Sequence, residues 1–477
     1  MLNLVTKRQP RAYLLPLMLV VTSAVYGNAA YALDSPINMP LDLISAWHAA
    51  QSKDPTFSAA RAGAEAGKQK NAQARALNMP QVTAAVGTGV VNAYNKISNA
   101  QFSAPLFGAA VADGASFKTQ TDQGVNLRWN ISAQQPLYNV ERSSTAQQLN
   151  KQAQLADVRL SSEEQQLILR VSKAYFDVLL AEDTLASVDK QRAAVAQALA
   201  VAKARFAEGD VAIIDTHEAQ ARDDALVSQA LEADSNYQLA KAALLDLTGA
   251  DTPLARLAEQ ANLQQLNAGE LNDWITQAQS NSPYLQMQQI QQGIAHDEID
   301  KYKAVNAPVL NLVAQAAGEE LSSFAGGANS ALSNQAFSVG VQLTIPLFTG
   351  GMRNAKYEEA VALEGQAKDE TEAMRLKASQ QARATWLGIT IGKSKVKAIE
   401  QALHSSKVKL DATELGREVG DRTTLDVLNA EQEYHSTRTE LFRARYQTLL
   451  SYLSLAATAG ALDEKRLMEV NAVLVTR

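Results

Sequence analysis

The chain has 477 residues, 46% hydrophobic and 20% charged, and no cysteine. That is the composition of a folded polypeptide, and it excludes a disulfide framework, a thiolate metal site and lipid attachment through cysteine. Forty-four basic against 50 acidic side chains leave a net charge of −6, without the basic excess that phosphate neutralisation requires, so nucleic acid is excluded as a partner. Aromatic residues are only 6%, and an apolar share that leans on alanine suits thin layers of closely packed helices.

Residues 1–32 read as a secretory signal peptide. Lys7, Arg8 and Arg11 precede an apolar run from Leu14 to Val25, and Ala30-Tyr31-Ala32 supplies the small residues of a cleavage site. The run is too short to span a bilayer as a helix, which takes about 20 apolar residues. Cleavage after Ala32 removes three basic and no acidic side chains, taking the charge from −6 to −9. No later stretch resembles a transmembrane helix, so any crossing of a membrane by this chain must use strands in a closed barrel.

The mature chain then says one thing twice. A short helix from Asp42 through Ala50 leads to Asp54-Pro55, and Leu271 through Ala278 leads to Ser282-Pro283 at an offset of 228. Pro80 falls on Pro308 at the same offset. Beyond it the offset is 210, pairing Pro136-Leu137-Tyr138 with Pro346-Leu347-Phe348 and Ala174-Tyr175-Phe176 with Ala384-Thr385-Trp386. The first half therefore carries an 18-residue insertion. Gly209 to Ala219 then matches Gly420 to Ala430, and Gly249 falls near Gly460. These pairings predict a first repeat at 33–250, a connecting segment at 251–270, a second repeat at 271–460 and a tail at 461–477.

Within each repeat the reading is helix, two strands, a very long helix and another helix. Val125, Leu127, Trp129 and Ile131 alternate with Asn126, Arg128, Asn130 and Ser132, a period of two with one apolar and one polar face. Phe337 to Ile345 repeats the pattern. Strands are predicted over about 79–93, 118–136, 307–320 and 335–347, with hairpin tips at Tyr94 to Lys118 and Leu321 to Gln335, both rich in Gly, Ala, Ser and Asn. The prolines Pro80, Pro136, Pro308 and Pro346 mark where helix gives way to strand and strand to helix, because proline removes an amide donor and drives its predecessor out of the helical region. From Glu141 to Phe206 no proline interrupts a seam of Val171, Tyr175, Val178, Leu185, Val188, Val195, Leu199, Ala202 and Phe206. A helix of about 65 residues is on the order of 100 Å long and needs packing against other helices along its length. Asn354 to about Leu415 is its counterpart, where Gly365, Gly388 and Gly392 mark bends or close helix contacts. Leucines and valines in the connecting segment and the tail are spaced to pack on these helices.

Strands with one lipid-compatible and one watery face are what a membrane barrel needs, and four are too few to close one around water, since about eight is the smallest number. Several copies of the chain are implied; the pattern alone does not give their number. Catalysis finds no support. His48, His217, His296, His404 and His435 are scattered without metal-ligand spacing and read as surface helical residues, and no phosphate-binding loop or G-x-S-x-G is present. Glu163-Glu164 and Glu358-Glu359 read as solvated charge on helices.

With these residues in view, the chain resembles the TolC family of outer-membrane efflux proteins from about Leu41 to Gly460. The resemblance rests on the duplicated helix-strand-strand-helix order, on Pro346-Leu347-Phe348-Thr349-Gly350-Gly351 opening the second long helix, and on Val419 to Leu428 near its end. It implies a mostly helical fold with a β-barrel portion. Three copies would give a homotrimer with a twelve-stranded outer-membrane barrel, four strands per chain, continuous with a helical periplasmic tunnel. It implies no cofactor and no metal. It implies docking on an inner-membrane transporter and its periplasmic adaptor, and export of polypeptides or of small toxic molecules. The connecting segment and the tail would form a belt around the tunnel. Position by position, Arg422 matches a gating arginine of the periplasmic mouth, Asp426 a pore-facing aspartate and Asp215 the aspartate of a restraining network. Glu418 stands where some members have tyrosine and Asn429 where some have a second pore aspartate. Threefold copies of Asp426 would raise its pKa by repulsion unless cations or Arg422 compensate. Without the resemblance, Asp426 and its neighbours read as residues that cap a helix start. The other architecture with long helical hairpins is a periplasmic adaptor, which would need a β-rich domain beside a single hairpin.

Overall fold

A computed structural model describes residues 40–103, 111–209, 211–257, 263, 266, 268–304, 306–322 and 331–475. The leader and its cleavage site lie outside the described residues, as do Asp210 and residues 104–110 and 323–330 at the two hairpin tips. Everything below belongs to one compact unit, Pro40–Arg477.

The order of elements recurs. The first series is α1 (Leu43–Lys53), α2 (Pro55–Leu77), β1 (Gln81–Ser103), β2 (Val111–Tyr138), α3 (Val140–Glu208) and α4 (Ile213–Thr248). After a two-residue strand, β3 (Arg256–Leu257), come α5 (Leu271–Asn281), α6 (Pro283–Tyr302), β4 (Val309–Ser322), β5 (Ala331–Thr344), α7 (Met352–Glu418) and α8 (Thr424–Thr458). The chain ends with α9 (Glu464–Asn471) and β6 (Leu474–Val475).

Each long helix has identifiable ends. The Asn139 side chain caps α3 by accepting the Arg142 amide at 3.0 Å, and Gly209, at φ +85°, stops it after 69 residues. The 67-residue α7 starts after Gly350 and Gly351, both at positive φ, and stops before Gly420 at φ +86°. Of the three glycines predicted to mark bends or contacts in α7, Gly392 is a close contact: a Cβ there would stand 2.6 Å from Thr448 Oγ1 of α8. A Cβ at Gly365 would meet nothing within 4 Å among the described residues.

The four long strands form one antiparallel sheet in the order β1-β2-β4-β5, leaving β1 and β5 as its edges. In the first hairpin the structure departs from the predicted loop at Tyr94 to Lys118: β1 and β2 run 23 and 28 residues, against 14 each for β4 and β5. Tyr94 pairs with Gln120, Lys96 with Lys118 and Ile97 with Phe117, so the insertion lengthens a ribbon rather than a loop. Gly, Ala, Ser and Asn mark turns only where no partner strand offers a ladder, and here the aromatic and β-branched residues between them take one. In the second hairpin β5 begins at Ala331 and ends at Thr344, earlier at both ends than predicted. Pro80 and Pro308 directly precede β1 and β4, and Pro346 follows β5 by two residues. Pro136 lies inside β2, where the register to β4 slips between Pro136 and Tyr138; a residue without an amide hydrogen is tolerated at such an irregularity.

The main core lies midway along the long helices. Tyr175, Phe176 and Leu179 of α3 pack with Leu449 and Leu453 of α8, Trp47 of α1 and Ile389 of α7. The connecting segment and tail join this cluster through Leu257, Leu263, Leu266, Leu467, Val470 and Leu474. β3 pairs with β6, and the Tyr175 hydroxyl donates to the carbonyls of Leu41 and Ala255, at 2.9 and 2.7 Å. Of the predicted α3 seam, Val171, Tyr175, Val178, Val195, Leu199 and Ala202 are buried, while Phe206 is exposed.

Candidate functional site: a two-faced sheet and a helical mouth

Cross-strand register assigns the faces of the sheet. Val86, Trp129 and Gly318 share one rung, Ala84, Ile131, Ala316 and Phe337 another, and Leu312 pairs with Val341. Paired residues project to the same side, so all of these share one face. That face is mostly apolar, interrupted by Gln335, Gln135 and Glu320, and open to its surroundings, with Val86 75% and Phe337 77% exposed. The opposite face carries Thr83 with Ser132, Asn126 and Arg128 with Glu319, and Ser338 with Gln315. Glu319 accepts from the Arg128 guanidinium at 2.9 Å and from the Asn126 amide at 2.5 Å, which joins the first hairpin to the second across the polar face. A sheet that exposes a mostly apolar face and satisfies its polar face laterally is suited to a boundary between lipid and water.

At the far end of the long helices lie the α3–α4 and α7–α8 turns, the region that the sequence resemblance implies is the mouth. Asp426 belongs to a capping box at the start of α8: its carboxylate accepts the Thr423 amide and hydroxyl, both at 2.9 Å, and its own amide donates to Thr423 Oγ1 at 3.1 Å. Within one chain the Thr423 amide and hydroxyl hold the Asp426 carboxyl below its ordinary value, and Arg422 adds a smaller pull the same way. The amides of Asp421 and Arg422 both donate to the Gly416 carbonyl, and the Arg422 stem lies over Gly416, whose Cβ would stand 2.8 Å from its Cγ. Asp215 sits exposed in the first turn of α4 and Glu418 exposed at the end of α7. Among the described residues, no hydrogen bond or ion pair joins the side chains of Arg422, Asp215, Asp426 or Glu418 to one another.

Asn429 is the exception among the predicted residues, and its partner is one that sequence reasoning missed. The Arg222 guanidinium of α4 donates to Asn429 Oδ1 and to Gln432 Oε1, bridging α4 to α8. No signal in the sequence pointed to it, because both of its partners lie on another helix about 210 residues away. Higher up, Ser187 of α3 meets His435 Nδ1 at 3.2 Å. His435 is half-buried against α3 rather than a surface residue, and burial, reinforced by Arg438 and Lys190, lowers its pKa. Its mostly polar neighbours along the sequence gave no hint of this, because the contact comes from a helix some 250 residues away.

Among the described residues there is no cluster of three or more His, Asp and Glu placed to hold a metal, and no helix is long and apolar enough to cross a membrane. The sequence matches the model of the outer membrane efflux protein family over residues 46–250 and 274–461. It is 29% identical to the outer membrane protein TolC of Vibrio cholerae, over 97% of this chain and 98% of that one. It is 30% identical to the alkaline protease secretion protein AprF of Pseudomonas aeruginosa, over 91% and 88% of the two chains. In fold it is similar to the CmeC outer membrane channel of Campylobacter jejuni, with a TM-score of 0.69 at 14% identity, covering 96% of this chain and 98% of that one. Nothing in these comparisons supports a periplasmic adaptor. The family model covers both halves of the chain and both of its strand pairs, and the chain belongs to the outer membrane efflux protein family.

Proposed function

We propose that the chain is the passive outer-membrane exit duct of a tripartite export system, with residues 1–32 as the leader that carries it across the inner membrane. Three copies close a twelve-stranded barrel, the long helices continue it as a periplasmic tunnel, and an inner-membrane transporter docks on the mouth through an adaptor. The supporting observation is the sheet: its apolar face is exposed along all four strands, and its two edges, β1 and β5, have no partner within the chain's described residues. An exposed edge invites pairing with another strand, and a symmetric ring of identical copies removes every edge. The family's members are channels, and we assign this chain no catalytic step. The energy for transport comes from the partner.

The mouth is the gate in this reading. It opens when α4 and α8 swing outward at the turns that carry Asp215, Arg422 and Asp426, with Glu418 and Asn429 at the rim. Polypeptide cargo is favoured by the printed role of the AprF relative, alkaline protease secretion. Reconstitution in planar bilayers tests the gate. Arg422→Ser combined with Asp215→Ala raises single-channel conductance, and unchanged conductance rejects the assignment. Cross-linking in outer-membrane fractions tests the assembly, where a ladder ending at three chains is expected and a monomer rejects it.

A further inference from the structure

The α1–α2 and α5–α6 junctions share a backbone and differ in chemistry. Each joins an 11-residue helix to a helix that begins with proline, Pro55 or Pro283. The residue before proline is Asp54 at φ −64° and ψ 115° in one, and Ser282 at φ −55° and ψ 123° in the other. Both are 2% exposed. At the first junction the Asp54 carboxylate accepts the Thr56 amide at 2.8 Å and the Arg170 guanidinium of α3 at 2.5 Å. A negative charge thus stands at the N terminus of α2, where unpaired amides and the positive end of the helix dipole favour one. At the second junction Ser282 makes no capping bond, and the first turn of α6 contains no acidic residue.

Beside Ser282 lies a cavity of ≈ 460 Å³ between α3, α6, α7 and α8. Ser162 and Gln165 of α3 line it with Ser282. Ser162 is 5% and Gln165 8% exposed; the three side chains form no hydrogen bond with one another or with other described residues, and they line the cavity. Lys377 is the one charged residue of the lining, and Leu169 and Met374 give it an apolar wall. An amide and two hydroxyls that line a cavity without a partner in the described chain are free to bond what enters it, water or a solute. Converging beside a helix N terminus and a lysine, they are a donor set that suits a carboxylate.

We propose that this cavity binds a small organic carboxylate. Its charged end lies at the N terminus of α6 beside Ser282 and Gln165, in the role that Asp54 plays at α2, and its apolar body lies against Leu169 and Met374. The volume falls within the range of small-molecule pockets. The inference concerns the helical wall alone and is independent of the export reading.

The test uses the full chain in detergent. Melting temperature is measured against benzoate at constant pH and ionic strength, and a crystal structure is determined with 4-bromobenzoate so that bromine marks the site. The expected result is a saturable rise in melting temperature, as binding to the folded state requires, with bromine in the cavity. Ser282→Asp supplies the carboxylate from within, so the rise is lost. Gln165→Leu removes one donor and weakens binding roughly tenfold, and it serves as the test if Ser282→Asp fails to fold. The proposal is overturned by the absence of a saturable rise, by either variant responding as the parent does, or by a cavity holding only water at saturating bromobenzoate.

Discussion

The belt and the mouth are built from the same four long helices and are held in different ways. At the belt, α3, α4, α7 and α8 share one continuous core with α1, α5, α9 and the connecting segment. At the mouth, apolar packing shrinks to two small clusters, one around Val195, Leu226 and Leu428 and one of Leu410, Val427 and Ala430. There the contact of α4 with α8 combines the small Leu226–Leu428 cluster with side-chain hydrogen bonds from Arg222. Packed cores are bistable only at high cost, whereas a few exposed hydrogen bonds exchange readily with water. The same four helices thus share a large apolar core midway along their length and much less buried apolar surface at the end that carries the α3–α4 and α7–α8 turns.

Substitutions sharpen that contrast. The largest loss of stability is expected from Tyr175→Ala, which empties a fully buried site in the belt and strips the donor from two carbonyls; about 3 to 5 kcal/mol should appear in denaturant unfolding. Asp54→Ala follows at roughly 2 to 3 kcal/mol, because it removes a cap and leaves Arg170 without its buried partner. Asp54 also predicts a pH dependence. Burial pushes its carboxyl up, but Arg170 and the Thr56 amide outweigh this and hold it below its ordinary value of 3.8. A lowered folded value means that the stabilisation is present above 3.8 and is lost as pH falls through the folded value, so unfolding curves of the parent and Asp54→Ala should converge in strong acid and separate above it. Thr423→Ala, which breaks the cap of α8, should cost about 1 kcal/mol, seen as faster amide exchange in the first turn of α8. Arg222→Ala should change global stability least, by under about 1 kcal/mol, yet raise conductance in bilayers; a large loss of stability with unaltered conductance would show that the mouth is packed like the belt.

The sequence was informative where a pattern repeats over many residues. Alternation in Val125 to Ser132 fixed which face of β2 is apolar, and the proline-free seam through Val171 and Tyr175 announced α3. It was misleading where composition competed with pairing, as at Tyr94 to Lys118, because a ribbon's ladder depends on a partner strand that local composition does not reveal. The mouth was legible only in part. Asp426 read as a cap from the residues and as a pore residue through the resemblance, and its bonds to Thr423 satisfy the first description without opposing the second. Arg222, Ser187 and His435 stayed hidden because their partners come from other helices, and helix periodicity says which face is buried but not what it meets.

The two faces of the sheet carry the whole account, and the absence of cysteine makes them directly testable. Single cysteines placed in turn at residues 338 to 343 of β5, in protein reconstituted into liposomes, should react alternately. Ser338, Gly340 and Gln342 positions should take a water-soluble, membrane-impermeant maleimide, and Val339, Val341 and Leu343 positions only a lipid-phase reagent. Uniform reaction with the water-soluble reagent along the strand would contradict a wall between lipid and lumen.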